Sequence, residues 1–244
     1  MKKIVYTRLV VYLALNFLLS LLICSVYLFF AGSPLELLFA AAALISNTFM
    51  LYAALSLAGS AVFWLKAARP VFAGLMTAFQ LALVTDAAIY KIFKLHINSM
   101  VVNILITPGG FSSLEQGFWM KALFCTIAAG LMGIEIWFYM LSGKLAQKNF
   151  AGPVRLRRRL APVLAVLFFF TLLDKLLFAW GSAYDIVYIT RNAKLFPLYQ
   201  PFTARTFIQK HLGTRLDKPV SFKLDLKYSR LDYPKKPLEF AAGG

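Results

Sequence analysis

Charged residues are sparse and unevenly spaced along this chain, and the gaps between them define its elements. Leu9–Phe30 runs for 22 residues without a charge, and Leu37–Leu65 is uncharged throughout. Val71–Ile89 holds one charge, Asp86. Phe118–Leu141 holds Lys121 and Glu135, and Leu160–Ala183 holds Asp174 and Lys175. About 20 apolar residues in a helix cross the hydrocarbon core of a bilayer. The pattern therefore predicts five transmembrane helices, the second long enough to tilt. The first run is longer than the core of a signal peptide, and no convincing small-x-small cleavage site follows it. It reads as a retained span.

Shorter patterns fill the intervals. In KLHINSMVVNILITPGG, Asn98 can cap a helix from Ser99 to about Ile106, stopped by Pro108. Met100, Val101, Val102, Ile104, Leu105 and Ile106 make that helix apolar on nearly every face. It should be buried against the bundle or lie in the outer interface, as a lipid ledge or gate. The last 61 residues, 184–244, read as a basic arm and linker rather than a domain. Thr203 is a good N-cap and Gly213 a good stop for a helix with Ala204, Phe207, Ile208 and Leu212 on one face. One short strand near Phe222–Leu226 fits the later alternation. The sequence stops at Ala241–Gly244 without a capping element, as a linker before a further domain would.

Composition places these elements in a membrane. The chain has 244 residues, 60% hydrophobic and 15% charged, with mean hydropathy +0.71. A soluble domain would be about half apolar and a quarter charged. The 26 Lys and Arg against 10 Asp and Glu give a net charge of +16. In a membrane protein such an excess points to anionic lipid and not to nucleic acid. Cys24 and Cys125 sit in apolar runs without CxxC spacing and read as buried hydrophobes. His96 and His211 are far apart, so no metal site, cofactor or catalytic cluster is expected.

Charge also predicts sidedness. Lys2, Lys3 and Arg8 precede span one, and Lys66 and Arg69 link spans two and three. Lys144, Lys148, Arg155, Arg157, Arg158 and Arg159 link spans four and five. The short loops opposite carry only Lys91 and Lys94. The positive-inside rule makes the N-terminus cytoplasmic and, after five crossings, the arm periplasmic. The run Arg155–Arg159 reads as a topology anchor, with binding of acidic lipid or a protein partner as the alternative.

The expected fold is thus all-α and integral to the membrane. Five transmembrane helices (1–183) carry a short interfacial helix and a periplasmic arm (184–244). A helix start at Thr203 would present unpaired N–H groups, and Arg205 a guanidinium fork, to a lipid phosphate. Arg191, Lys194 and Lys210 could widen the pocket. Phe196, Tyr199, Phe202 and Phe207 are expected to anchor the arm at the interface. A plain amphipathic connector is the alternative. Within the spans, Asp86, Lys121, Asp174 and Lys175 fall at a similar depth, as one ion-pair network or as a headgroup or proton site. Glu135 is expected to pair with Lys144 or the arginine run.

Several stretches carry a resemblance. They are LNFLLSLLICSVYLF, TDAAIYKIFKLHINSMVVNILITP, GIEIWFYMLSGKL followed by RLRRRLAP, and PLYQPFTARTFIQKHLG. In order along nearly the whole chain, they resemble the membrane domain of the YejM (PbgA) type of inner-membrane sulfatase-like proteins from Gram-negative bacteria. The resemblance implies five transmembrane helices, an interfacial arm and a periplasmic domain of alkaline-phosphatase/sulfatase fold that this sequence does not include. It implies sensing of lipopolysaccharide and control of lipid A synthesis through an assembly protein (LapB-like) and a membrane protease. The family arm that contacts lipid A matches Pro201–Gly213, so Thr203 and Arg205 carry over, with Thr206 where the family has a second basic residue. The expected ligand is an anionic lipid: lipid A, cardiolipin or phosphatidylglycerol. Two other readings stand beside this regulatory, non-enzymatic one: an anchor for a phospho- or sulfo-transfer domain, and a phospholipid transporter. The absence of an internal repeat weighs against the transporter.

Overall fold

The computed structural model describes residues 2–107, 117–147, 152–184, 186–191, 195–204 and 210. Every regular element among them is helical. Helix α1 (Lys2–Cys24) tightens into a 3₁₀ segment, Ser25–Phe30. Then come α2 (Pro34–Val62), α3 (Ala68–Phe93), α4 (Ser99–Ile106), α5 (Phe118–Gln147), α6 (Gly152–Ala183) and the single turn α7 (Val187–Thr190). Five helices are long and apolar enough to cross a membrane: Ile4–Phe30, Pro34–Val62, Ala68–Phe93, Phe118–Gln147 and Leu160–Ala183. Each coincides with an expected span. The basic stretch before span five is not a loop, because α5 continues to Gln147 and α6 already begins at Gly152. Lys and Arg are good helix formers, so charge marked the membrane boundary without ending the helices.

Local chemistry sets the helix starts. Ser33 Oγ accepts the Glu36 amide at 3.2 Å, while the Glu36 carboxylate reaches back to the Gly32 amide at 2.6 Å. With Pro34 in the first turn, this is a capping box displaced by one residue. Asn98 caps α4 as expected, its Oδ1 accepting the Val101 amide at 3.1 Å. Met100, Val102 and Ile106 are exposed, so α4 turns these apolar side chains outward rather than burying them against the bundle. Because α4 is only 8 residues long, its cap matters. Asn98→Ala should cost about 1 kcal/mol locally, read as faster amide exchange over Ser99–Ile106 with the five spans unchanged.

Helix α1 is the centre of the bundle, packed against α2, α3 and α5, while α6 packs chiefly on α2. Two apolar cores follow. One joins Leu9, Tyr12, Phe63, Phe72 and Phe138 near the N-terminal end. The other joins Tyr27, Ala40, Tyr90, Phe178, Phe196 and Tyr199 at the opposite, arm end. The starts of α1 and α3 thus share an end with the finishes of α2 and α5, as alternating crossings require. Gly181 lets α7 fold back onto α6, since a Cβ there would lie 2.9 Å from Ile189.

Candidate functional site

The arm returns to the bundle through a short strap, Leu195–Gln200. Leu195, Phe196 and Tyr199 are buried in the arm-end core, whereas Leu198 is exposed with φ 57°. A left-handed leucine is unfavourable, so the flanking contacts must impose that turn. Among the described residues three are polar. Asn47 Nδ2 donates to the Pro197 carbonyl at 3.0 Å, Lys175 Nζ to the Gln200 carbonyl at 2.8 Å, and Tyr199 OH to Asp174 Oδ1 at 2.9 Å. Lys175 also lies 3.2 Å from Asp174 Oδ2 and 4.1 Å above the Tyr199 ring. Burial, reinforced by the neighbouring Asp174 carboxylate, pushes the Tyr199 phenol up. It therefore stays protonated and donates at neutral pH.

This geometry revises the expected role of two aromatics. Phe196 and Tyr199 do not dip into the lipid interface. Phe196 packs edge-on against Tyr27, with ring centroids 5.8 Å apart, and Tyr199 against Phe178 at 5.7 Å. They secure the arm by insertion between helices, where Asp174 accepts the Tyr199 hydroxyl at the base of the slot. Phe202, Thr203 and Arg191 are exposed, as is Lys210 in helical conformation. Lys194, Arg205, Phe207, the rest of the expected arm helix and the strand at Phe222–Leu226 lie outside the described residues.

The intramembrane charges separate into two centres. Asp86, 3% exposed, accepts three donors. They are Tyr27 OH at 2.6 Å, His96 Nδ1 at 2.7 Å and the Ile97 amide at 2.6 Å. The His96 ring stacks on Tyr90 with centroids 4.6 Å apart. Asp86 thus ties the loop leading into α4 to both α3 and the 3₁₀ segment. Asp174 and Lys175 serve the strap instead. Lys121 is exposed, and among the described residues its side chain has no hydrogen bond or ion pair. The four do not form one network, because the loop and the strap fill the space around the two aspartates.

Among the described residues, Glu135 pairs with two neutral side chains of α1 and not with Lys144. Its Oε2 accepts Tyr12 OH at 2.5 Å and Asn16 Nδ2 at 3.2 Å, since α5 turns it toward α1. From Asn16 the polar contacts continue into the bundle. Gln80 Nε2 donates to Asn16 Oδ1 at 3.1 Å and Tyr52 OH at 3.0 Å, and Gln80 Oε1 accepts Ser20 Oγ at 3.0 Å. At the N-terminal end Arg8 Nη2 donates to the Tyr139 carbonyl at 3.1 Å, with its guanidinium 4.0 Å above the Tyr139 ring. The result is an interhelical polar chain joining α1, α2, α3 and α5.

Residues 5–240 match a family described as a domain of unknown function, DUF3413. The chain belongs to the DUF3413 family. It is 31% identical over 179 residues to an uncharacterized protein of Haemophilus influenzae, covering 70% of this chain and 29% of that one. It is 29% identical over 138 residues to the inner membrane protein YejM of Salmonella typhimurium and of Salmonella typhi, covering 56% of this chain and 22% of theirs. The chain spans less than a third of the length of these relatives.

Most of the polar chain in this DUF3413 bundle escapes a reading built on charge. Tyr12, Asn16 and Ser20 are neutral, as are Tyr52, Gln80 and the strap-binding Asn47. A signal was present in α1, where Arg8, Tyr12, Asn16 and Ser20 recur every four residues and so share a helix face. Among the described residues, no group of three or more His, Cys, Asp and Glu could hold a metal ion.

Proposed function

We propose that this DUF3413 chain is an inner-membrane regulatory domain that reads anionic lipid phosphates at the periplasmic leaflet, lipid A being the ligand the resemblance favours, and thereby controls envelope lipid synthesis. The observation that carries this reading is the strap. Its contacts to Asn47, Asp174 and Lys175 fix the chain as far as Gln200 at the arm end of the bundle. They hand Phe202 and Thr203 on to the surface. In this reading the basic segment that follows would lie at headgroup height, where a helix start at Thr203 and the Arg205 guanidinium would suit a phosphate. Similarity to YejM supports placing the bundle in the inner membrane. The charge bias toward the N-terminal end supports a periplasmic arm. In this reading the downstream partners are a LapB-like regulator of lipid A synthesis and its protease.

Native mass spectrometry of the purified chain tests the proposal. Arg205→Ala should lower retained lipid A about tenfold, the scale of one charge-assisted phosphate contact. Arg158→Ala, on the opposite side, should leave retention unchanged. Equal loss from both variants would refute a site on the arm. The greater length of the relatives favours a second reading, in which the five helices anchor a periplasmic phospho- or sulfo-transfer domain. Unchanged lipid retention in Arg205→Ala would shift the balance to it.

A further inference from the structure

Beneath the strap, α2 and α6 do not close against each other. A cleft lies between them, lined by Phe39, Ala42 and Ala43 on α2, by Asp174 and Leu177 on α6, and by Tyr199 above, with room inside for one water-sized group. The alanines create it, since any larger side chain at those positions would fill the gap. Asp174 is 6% exposed, and its Oδ2 is buried without a hydrogen bond. Its other oxygen is taken by Tyr199. Lys175 stands 3.2 Å from Oδ2 and compensates its charge without directing a hydrogen bond to it. One turn beyond Ala42, the buried Ser46 hydroxyl also lacks a partner. Outside the cleft, Leu35 and Leu38 on α2 and Leu176 and Trp180 on α6 are exposed on the surface that meets lipid.

We propose that this cleft is a binding site for one neutral hydroxyl, which donates to Asp174 Oδ2 beneath the strap. Neutrality follows from charge balance, because Lys175 already offsets the carboxylate and an added ammonium would face that lysine. Size admits a single polar heavy atom at the carboxylate, and buried carboxylate oxygens seldom stay without a donor. The hydroxyl has two sources: the headgroup of a lipid entering from the side, or an ordered water.

The test compares phosphatidylglycerol with phosphatidylmethanol, which carries the same phosphate and charge but no hydroxyl. A phosphate site on the arm would not separate them, so this result stands apart from that of Arg205→Ala. For a lipid hydroxyl, native mass spectrometry of the full chain should show about fivefold preference for phosphatidylglycerol, the scale of one net hydrogen bond. Ala42→Leu, which fills the cleft while sparing the Asp174–Tyr199 bond, should abolish the preference without loss of the folded state. For water, neither lipid is preferred. Solid-state NMR should then show magnetisation passing from water to the Asp174 carboxyl in the wild type and not in Ala42→Leu. No lipid preference and no water transfer, or either signal unchanged in Ala42→Leu, would overturn the proposal.

Discussion

Asp86→Ala should destabilise the bundle more than any other single change at these sites, by about 3 kcal/mol or more. The carboxylate accepts from Tyr27, His96 and the Ile97 amide, all at 2.7 Å or less. Truncation leaves three donors facing a space that water reaches poorly, and an orphaned buried donor costs about 1–3 kcal/mol. In a chain of this size that corresponds to a fall in Tm of roughly 6–12 °C, measured in detergent by near-UV circular dichroism. The loop before α4 should also become open to proteolysis, since two of the three donors belong to it. His96→Ala removes one donor and leaves two, so it should cost less than half as much. A shift below about 1 °C for Asp86→Ala would show that the hub contributes little.

Gln80→Leu should produce the second largest effect, about 2 kcal/mol. Gln80 is fully buried and bonds to Asn16 and Ser20 on α1 and to Tyr52 on α2. Interhelical hydrogen bonds in membranes average about 0.6 kcal/mol, and leucine packs well in lipid, so the loss reflects several modest contacts. The informative readout is coupling. Gln80→Leu combined with Asn16→Ala should cost clearly less than the two singly, because each removes the other's partner. Strict additivity would mean that the two side chains act independently.

The architecture was legible because five apolar runs are a strong signal, and because Asn98 offers α4 a cap that local chemistry alone predicts. The site was legible only in part. Charge scanning finds Asp86, Lys121, Asp174 and Lys175 but joins all four, on the premise that equal depth implies contact, whereas only Asp174 and Lys175 pair. Depth sets which residues are neighbours along the membrane normal, and helix rotation then decides who meets. Glu135 faces α1, a fact held in the angular position of a residue on α5 and in no local pattern. Tyr199 shows a different limit. Aromatics before a basic helix usually mark an interface, and only the position of Asp174 on α6, 25 residues earlier, makes this one an inward hook.

The polar face of α1 also sets a timetable for the growing chain. The first helix leaves the ribosome carrying Tyr12, Asn16 and Ser20 toward partners that do not yet exist. Asn16 meets Gln80 only 64 residues later and Glu135 only 119 residues later. At about 5–20 residues per second, the wait for Glu135 is roughly 6–24 s. During that interval the helix can be satisfied by the insertion machinery, by water at its ends, or by a passing polar helix of another protein. Nascent α1 is therefore the segment for which a membrane chaperone has most to do, and its release should coincide with the arrival of α5.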